Sequence, residues 1–431
     1  MPVEVGTEIA VDIEKPAVGG RMIARHDGQI ALVQGAIPGE RVRVRIERSA
    51  KSLLHAVTTE VLVASADRRD PGPDWRCGGH AFAHIAYERQ LRLKAEIICD
   101  SLGRIGRVPL GSLPDVMPSP ERGYRMRARL HARDGRLGFY REGTHHVCHA
   151  AQTGQLSPGT TDWIDAVERV VVDRGLAGLV SIEIAENVPA DQRACHLELQ
   201  GGVEAGPFAA LAAAGPLTGL SASRADRRSI ESLAGVASVS DQLYLDGAEG
   251  VSLTLRRSAR SFFQSNRFLL EPLMRHVGSL VPPGSVVDLY AGVGLFGLSL
   301  AAAGASDISL VEGDPVAGAD LLANAEPYAS RVRVERCGVE SYLQAARRVG
   351  AFIVDPPRTG LSKAALAGVV RWAPARIIYV SCDMATLARD TRAILDRGYE
   401  LERITGIDLF PNTAHVEAVA VFAQATPLRP D

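Results

Sequence analysis

Val287-Asp288-Leu289-Tyr290-Ala291-Gly292-Val293-Gly294-Leu295-Phe296-Gly297 carries a short apolar strand through a glycine turn into a helix. Gly292 and Gly294 let the backbone turn sharply and approach a ligand closely. The helix beyond them offers free N–H groups at its N-terminus. Working outward, residues 286–291, 307–312, 332–336, 351–354 and 377–381 read as short buried strands with helical patterns between them. Regular alternation of strand and helix predicts an α/β, Rossmann-like parallel sheet with helices on both faces. The runs 401–409 and 415–423 are separated only by a short Phe-Pro-Asn-Thr loop. The sheet is therefore expected to end in an antiparallel hairpin.

Two acids mark the carboxyl edge of this sheet. Glu312 ends the strand after the glycine turn, about twenty residues on, where a carboxylate can accept both ribose hydroxyls of an adenosine. The alternative for Glu312 is a cap on the following helix. Asp355-Pro356-Pro357-Arg358-Thr359-Gly360 follows the fourth strand, and its prolines fix a turn where doubly wound sheets bind ligands. Enzymes that methylate amino groups usually carry an aromatic residue at the fourth position of such a turn, so Arg358 disfavours that chemistry.

Cys382, in Val380-Ser381-Cys382-Asp383, ends the next strand at the same edge. Cysteine is often simply a small buried residue, but a position beside an adenosine site suits a nucleophile. C5 of uracil is a poor nucleophile. A thiolate added to C6 makes an enolate whose C5 can take a methyl group, and a base must then remove the C5 proton so that the thiol can leave. His415-Val416-Glu417 opens the last strand, with His415 and Glu417 on one side by period two. Glu417 is the candidate base, with a solvated edge-strand acid as the alternative.

The chain has 431 residues, room for two or three domains, and 46% of them are hydrophobic. Its net charge of −2 means that a nucleic-acid surface would have to be local. The six cysteines are scattered without a CxxC pair, unlike a secreted disulfide scaffold. The N-terminus has acids and no apolar core of a signal peptide, and no apolar run has the length of a membrane span. A cytoplasmic monomer is expected. Residues 1–63 read as a small OB-type β-barrel, in which Arg41-Val42-Arg43-Val44-Arg45-Ile46 puts its apolar side chains inward. Residues 64–255 read as a mixed α+β domain, with helices at 87–102 and 161–174 and a hairpin around Asp134-Gly135. The Ala/Gly/Pro-rich segment 206–219 reads as a loop or insertion. Residues 256–431 hold the Rossmann-like sheet. Three basic segments are candidate phosphate trackers: Arg41 to Lys51, Arg122 to Arg141, and Arg256, Arg257 and Arg260 beside Phe262 and Phe263.

Phe262-Phe263-Gln264-Ser265-Asn266, the Asp288–Gly294 turn, Asp355 to Leu361, Val380 to Asp383 and His415-Val416-Glu417 together resemble the RNA (uracil-5-)methyltransferases. The similarity runs over nearly the whole chain, and residues 20–28 and 33–41 look like the TRAM domain, an RNA-gripping barrel. The resemblance implies a class I methyltransferase that uses S-adenosyl-L-methionine, held by Gln264, Tyr290, Glu312 and Asp355 near Gly292. It implies Cys382 as nucleophile, Glu417 as base and RNA as partner, either rRNA or tRNA, with 23S rRNA the expected target of the two. An RNA m5C methyltransferase and a non-catalytic RNA-binding or assembly factor are the alternatives. Asn266 also reads as the N-cap of a helix over 267–277. Many members bind a [4Fe–4S] cluster through Cys-x5-Cys-x2-Cys and a later cysteine. Here Pro71, Cys77, His80 and Cys148 stand at those positions, and proline has no donor atom. No cluster is expected; Cys77, His80 and Cys148 are weak candidates for zinc.

Overall fold

Strict alternation of apolar and polar residues closes the N-terminal strands on themselves. In the computed structural model, which describes residues 3–72, 74–245, 250–345 and 347–425, five strands form a closed barrel in the order β1-β2-β3-β5-β4. They are β1 (Glu8–Pro16), β2 (Met22–His26), β3 (Gln29–Gln34), β4 (Arg41–Ser49) and β5 (Leu53–Val63). Val42, Val44 and Ile46 are buried inside it, while Arg41 and Arg45 face solvent.

The chain then forms α1 (Tyr87–Ser101) and the short β6 (Val116–Met117). A seven-stranded sheet follows, in the order β13-β12-β11-β10-β7-β8-β9. Its strands are β7 (Arg127–Arg133), β8 (Arg136–Tyr140), β9 (Val147–His149), β10 (Leu179–Glu186), β11 (Arg193–Leu199), β12 (Gly219–Arg224) and β13 (Arg227–Gly235), with α2 (Pro158–Asp173) packed against them. Asp134 and Gly135 have φ of 52° and 76° and join β7 to β8 in a two-residue turn, with Arg133 opposite Arg136. The segment expected as a loop at 206–219 differs: Gly206–Ala214 is a 3-10 helix that buries Phe208 and Leu211 in the core shared with α2, and Gly219 begins a strand. Its phenylalanine and leucine dock the segment despite its glycines and prolines. The pair β14 (Ser238–Tyr244) and β15 (Ser252–Ser258) puts Leu243, Leu253 and Leu255 into a core with α3 (Leu270–Leu280).

The expected Rossmann-like sheet is present. It comprises β16 (Val286–Leu289), β17 (Ile308–Val311), β18 (Val332–Glu335), β19 (Ala351–Val354), β20 (Arg376–Ser381), β21 (Tyr399–Ile407) and β22 (Glu417–Gln424), with α4 (Leu295–Ala302), α5 (Pro315–Ala325), α6 (Val339–Tyr342), α7 (Lys363–Trp372) and α8 (Met384–Leu395) between strands. The order is β18-β17-β16-β19-β20-β22-β21-β6. The first five strands are parallel, and β22 runs antiparallel to both β20 and β21. All four residues of β16, β17 and β19 are buried, as a sheet covered on both faces requires. Helices α3, α4 and α5 fill one face; α7, α8 and α1 fill the other. The strand order reverses between β16 and β19, and that reversal opens the edge where such sheets bind ligands. No helix among the described residues is long and apolar enough to cross a membrane.

Candidate active site

The glycine turn after β16 needs its glycines for two reasons. Gly292 and Gly294 have φ of 58° and 103°, which side chains disfavour. A Cβ on Gly297 would stand 2.1 Å from Leu310 Cδ2, so α4 lies directly on the sheet only because that position is bare. Gly292, Gly294 and Gly297 fall at the spacing of a dinucleotide-binding turn, so glycine spacing alone does not exclude a nicotinamide cofactor. Tyr290 also holds a left-handed conformation, φ 62°, of the kind that folds retain at binding sites. Asp288, missed as a site candidate in the sequence, accepts from Gly297 N at 2.8 Å through Oδ2, and its Oδ1 is buried without a hydrogen-bond partner among the described residues. Burial raises its pKa to about 8.

Glu312 does not cap the next helix. That role belongs to Asp314, whose Oδ1 accepts from Val316 N and Ala317 N at 2.9 and 2.8 Å. Glu312 instead braces the turn, its Oε2 accepting from Gly292 N at 2.8 Å and its Oε1 from Asp314 N at 2.6 Å. Burial raises its pKa. Gln264 Nε2 donates to Asp355 Oδ2 at 3.2 Å, which brings the Phe-Phe-Gln segment to the sheet edge. Tyr290, Gly292 and Glu312 therefore gather at the ends of β16 and β17, and Gln264 with Asp355 at the end of β19. The orphaned Asp288 oxygen, the bare glycine turn and the Glu312 carboxylate suit an adenosyl ligand with a cationic centre and ribose hydroxyls.

Cys382 directly follows β20 and precedes Asp383, the N-cap of α8, whose side chain accepts from Thr386 N at 2.9 Å. The Arg358 guanidinium lies close enough to the Cys382 thiol to favour its ionised form. Burial, with the charges of Glu417 and Asp355, pushes that thiol up to about 11 against the pull of Arg358. Burial also raises Asp355 to about 7 and, with Asp355 nearby, lifts Glu417 well above the usual carboxylate range. Glu417 is not a solvated edge-strand acid, because it is only 4% exposed and lies between β20 and β21. One thiol and one carboxyl, Cys382 and Glu417, thus lie within reach of one guanidinium, with the Asp355 carboxyl close to both, an arrangement that retains protons and can pass them. Such a cluster can add a thiolate to an electrophilic carbon and remove a proton from a neighbouring one. The sequence shows Arg358 only as a departure from an aromatic position; a thiol that must ionise in a buried acidic site is the signal that would have assigned it.

A groove of about 350 Å³ opens at Cys382, within the size range of small-molecule pockets, roughly 300–1,000 Å³. Val18 and Gly19 of the barrel, Trp75 and Cys77 of the following loop, and Met384 and His415 of the sheet edge line it. The barrel reaches the site through Gly20, where a Cβ would stand 3.0 Å from Ala414 Cβ. Desolvation of the His415 ring, with Arg358, Lys94 and Arg125 nearby, lowers its pKa to about 4, although its edge is open to the groove. The imidazole is neutral at neutral pH. Phe262 is 62% exposed, and the Arg127 guanidinium lies 5.7 Å from its ring centroid.

The basic segments divide. Arg257 is fully buried, bonded to Asp241 Oδ2 at 3.1 Å and over the Phe263 ring at 4.4 Å, so it is a core residue and not a phosphate tracker. Arg127, Arg129 and Arg141 pair with Glu183, Glu198 and Asp74. Arg133 and Arg136, exposed at the β7–β8 turn, make no ion pair among the described residues. Asn266 accepts from Phe268 N and Leu269 N at 3.0 and 3.2 Å and so caps the turn before α3, which begins three residues later than expected.

Cys77 and Cys148 are joined in a disulfide. His80 Nε2 is 2.8 Å from Thr153 O. With the two sulfurs bonded to each other and proline at position 71, these residues do not fit a cubane cluster, and His80 alone does not hold zinc.

Residues 2–58 match the TRAM domain family, and residues 321–425 match the tRNA (Uracil-5-)-methyltransferase family. The chain is 31% identical, over 96% of both chains, to a protein of Methylococcus capsulatus named 23S rRNA (uracil(1939)-C(5))-methyltransferase RlmD. It is 30% identical, over 98% of this chain and 99% of the other, to a protein of Streptomyces avermitilis named an uncharacterized RNA methyltransferase. Its fold matches the crystal structure of Pyrococcus abyssi tRNA (uracil-54, C5)-methyltransferase in complex with S-adenosyl-L-homocysteine, with a TM-score of 0.76 over 96% of this chain and 99% of that one at 23% identity.

Proposed function

The chain belongs to the RNA (uracil-5-)methyltransferase family, and from that premise we propose that it methylates C5 of a uridine in 23S rRNA through a covalent adduct of Cys382 with C6 of the base. The observation that carries this reading is the gathering of Cys382, Arg358, Asp355 and Glu417 at the carboxyl edge of one sheet. S-adenosyl-L-methionine, when bound, supplies an electrophilic methyl group. Gln264, Tyr290, Gly292, Glu312 and Asp355 would hold it. Arg358 stabilises the Cys382 thiolate as it adds to C6. Addition places electron density on C5, which would accept the methyl group as the cofactor's sulfur–methyl bond breaks and S-adenosyl-L-homocysteine leaves. Glu417 then removes the C5 proton, and Cys382 leaves by elimination. Uridine C5 and C6 are hidden in a stacked helix, so the target base turns out into the groove beside Cys382. Residues 1–63 grip the RNA, 64–255 add contacts and 256–431 carry the chemistry, in a monomeric cytoplasmic protein.

The direction of the pH response follows from Arg358. Its charge lowers both the Cys382 thiol and the Glu417 carboxyl, and both groups must lose a proton to act. Arg358→Met therefore raises both, moves the rising limb of the kcat/KM profile to higher pH and lowers activity at neutral pH by about tenfold or more. A profile unchanged in position would remove Arg358 from thiolate stabilisation.

The protein also works without an iron–sulfur cluster. Metal analysis after anaerobic purification is expected to find neither iron nor zinc in stoichiometric amount; about four irons per chain would overturn this. Incubation of 23S rRNA transcripts with methyl-labelled S-adenosyl-L-methionine, followed by digestion to nucleosides, tests the assignment as a whole.

A further inference from the structure

Lys94 is fully buried, and among the described residues its one ion-pair partner is the equally buried Asp408. Its Nζ donates to Asp408 Oδ1 and, at 3.0 Å, to Phe410 O. Asp408 also accepts from the Tyr87 hydroxyl at 2.9 Å, which itself accepts from Ser119 N at 2.7 Å. Gln90 grips Asn412 twice: Nε2 donates to Asn412 Oδ1, and Oε1 accepts from Asn412 N, both at 2.9 Å. Tyr87, Gln90 and Lys94 fall at i, i+3 and i+7, one face of α1. From the other side, Asn266 Nδ2 donates to Leu409 O at 3.1 Å.

All these bonds converge on the loop between β21 and β22. Asp408 follows Ile407, and Ile407 is paired across the ladder with Glu417. The loop held by α1 therefore fixes the rung on which Glu417 stands. It also sets His415, which lines the groove with Cys382. Asn412, with φ 63°, is held in a conformation that the double bond to Gln90 supports. A buried ion pair is a weak device for stability, since apolar residues of like size commonly do as well. Its geometric effect is what distinguishes it here.

We propose that Lys94 and Asp408 are positioning residues for the reaction: the Tyr87, Gln90 and Lys94 face of α1 clamps the 408–412 loop so that Glu417 reaches the C5 proton of the adduct formed by Cys382. This rests on the reading of Glu417 as the base. The clamp aims Glu417 and touches neither substrate nor cofactor.

The test is the full chain carrying Lys94→Met with Asp408→Leu, beside Glu417→Gln as a control. The double variant removes both charges together, so it folds with a melting temperature near that of the parent. RNA and S-adenosyl-L-methionine binding stay within about twofold, while kcat falls about tenfold or more. Because addition precedes proton removal, RNA covalently bound to protein accumulates on denaturing gels, as it does with Glu417→Gln. A merely structural role would lower stability or binding without accumulating this adduct. If the double variant does not fold, Lys94→Met with Asp408→Asn, which leaves no unpaired charge and keeps an acceptor for the Tyr87 hydroxyl, is read by the same gel. Parent-like kcat, or a loss of kcat without adduct while Glu417→Gln accumulates it, overturns the clamp alone. Absence of adduct in Glu417→Gln overturns the reading of the base, and the clamp with it.

Discussion

A Cys382→Ala protein binds RNA and transfers no methyl group, its turnover lower by about 10⁴-fold or more. The size of the effect comes from the substrate. C5 of uracil has no lone pair to offer, and without addition at C6 nothing raises its electron density. No neighbouring group substitutes for the thiol: Cys99, Cys195 and Cys337 are the other free cysteines, and none lines the groove. Methyl incorporation from labelled S-adenosyl-L-methionine measures the loss directly. Full restoration of the modification by Cys382→Ala in a deletion strain would sink the covalent mechanism.

Glu417→Gln stops the reaction at a later point. Glutamine keeps the shape of the side chain and cannot take a proton, so addition and methylation proceed while elimination does not. Turnover is expected to fall by about 10²–10⁴-fold, the usual contribution of a general base. A slower-migrating band under denaturing conditions reports the trapped RNA. Normal turnover without a trapped band would remove Glu417 from the mechanism.

The alternation of strand and helix was legible because the strands are short apolar runs separated by helical periodicity, and the hairpin because only five residues part Leu409 from His415. Cys382, Glu417 and Glu312 were legible by position, each standing where a strand reaches the carboxyl edge. What escaped depends on contacts between distant segments. Arg257 reads like Arg256 and Arg260 in the sequence, but Asp241 and Phe263 meet it only after β14 and β15 pair. The 206–214 segment reads as a loop by composition, because the surface that receives Phe208 and Leu211 belongs to other elements. The Lys94–Asp408 pair joins residues 314 positions apart, and no local pattern announces it. Glycine spacing after β16 is equally silent on the cofactor, and an acid at the end of β17 suits the ribose of any adenosine-containing one; the thiol at the end of β20 is the feature that points away from a nicotinamide enzyme.

The most direct measurement is the identity of the methylated nucleoside. Purified protein, 23S rRNA transcript and methyl-labelled S-adenosyl-L-methionine are incubated, and the RNA is digested and separated. Label in 5-methyluridine is the predicted result, absent with Cys382→Ala. Label in 5-methylcytidine alone, or none in any nucleoside, would contradict the account.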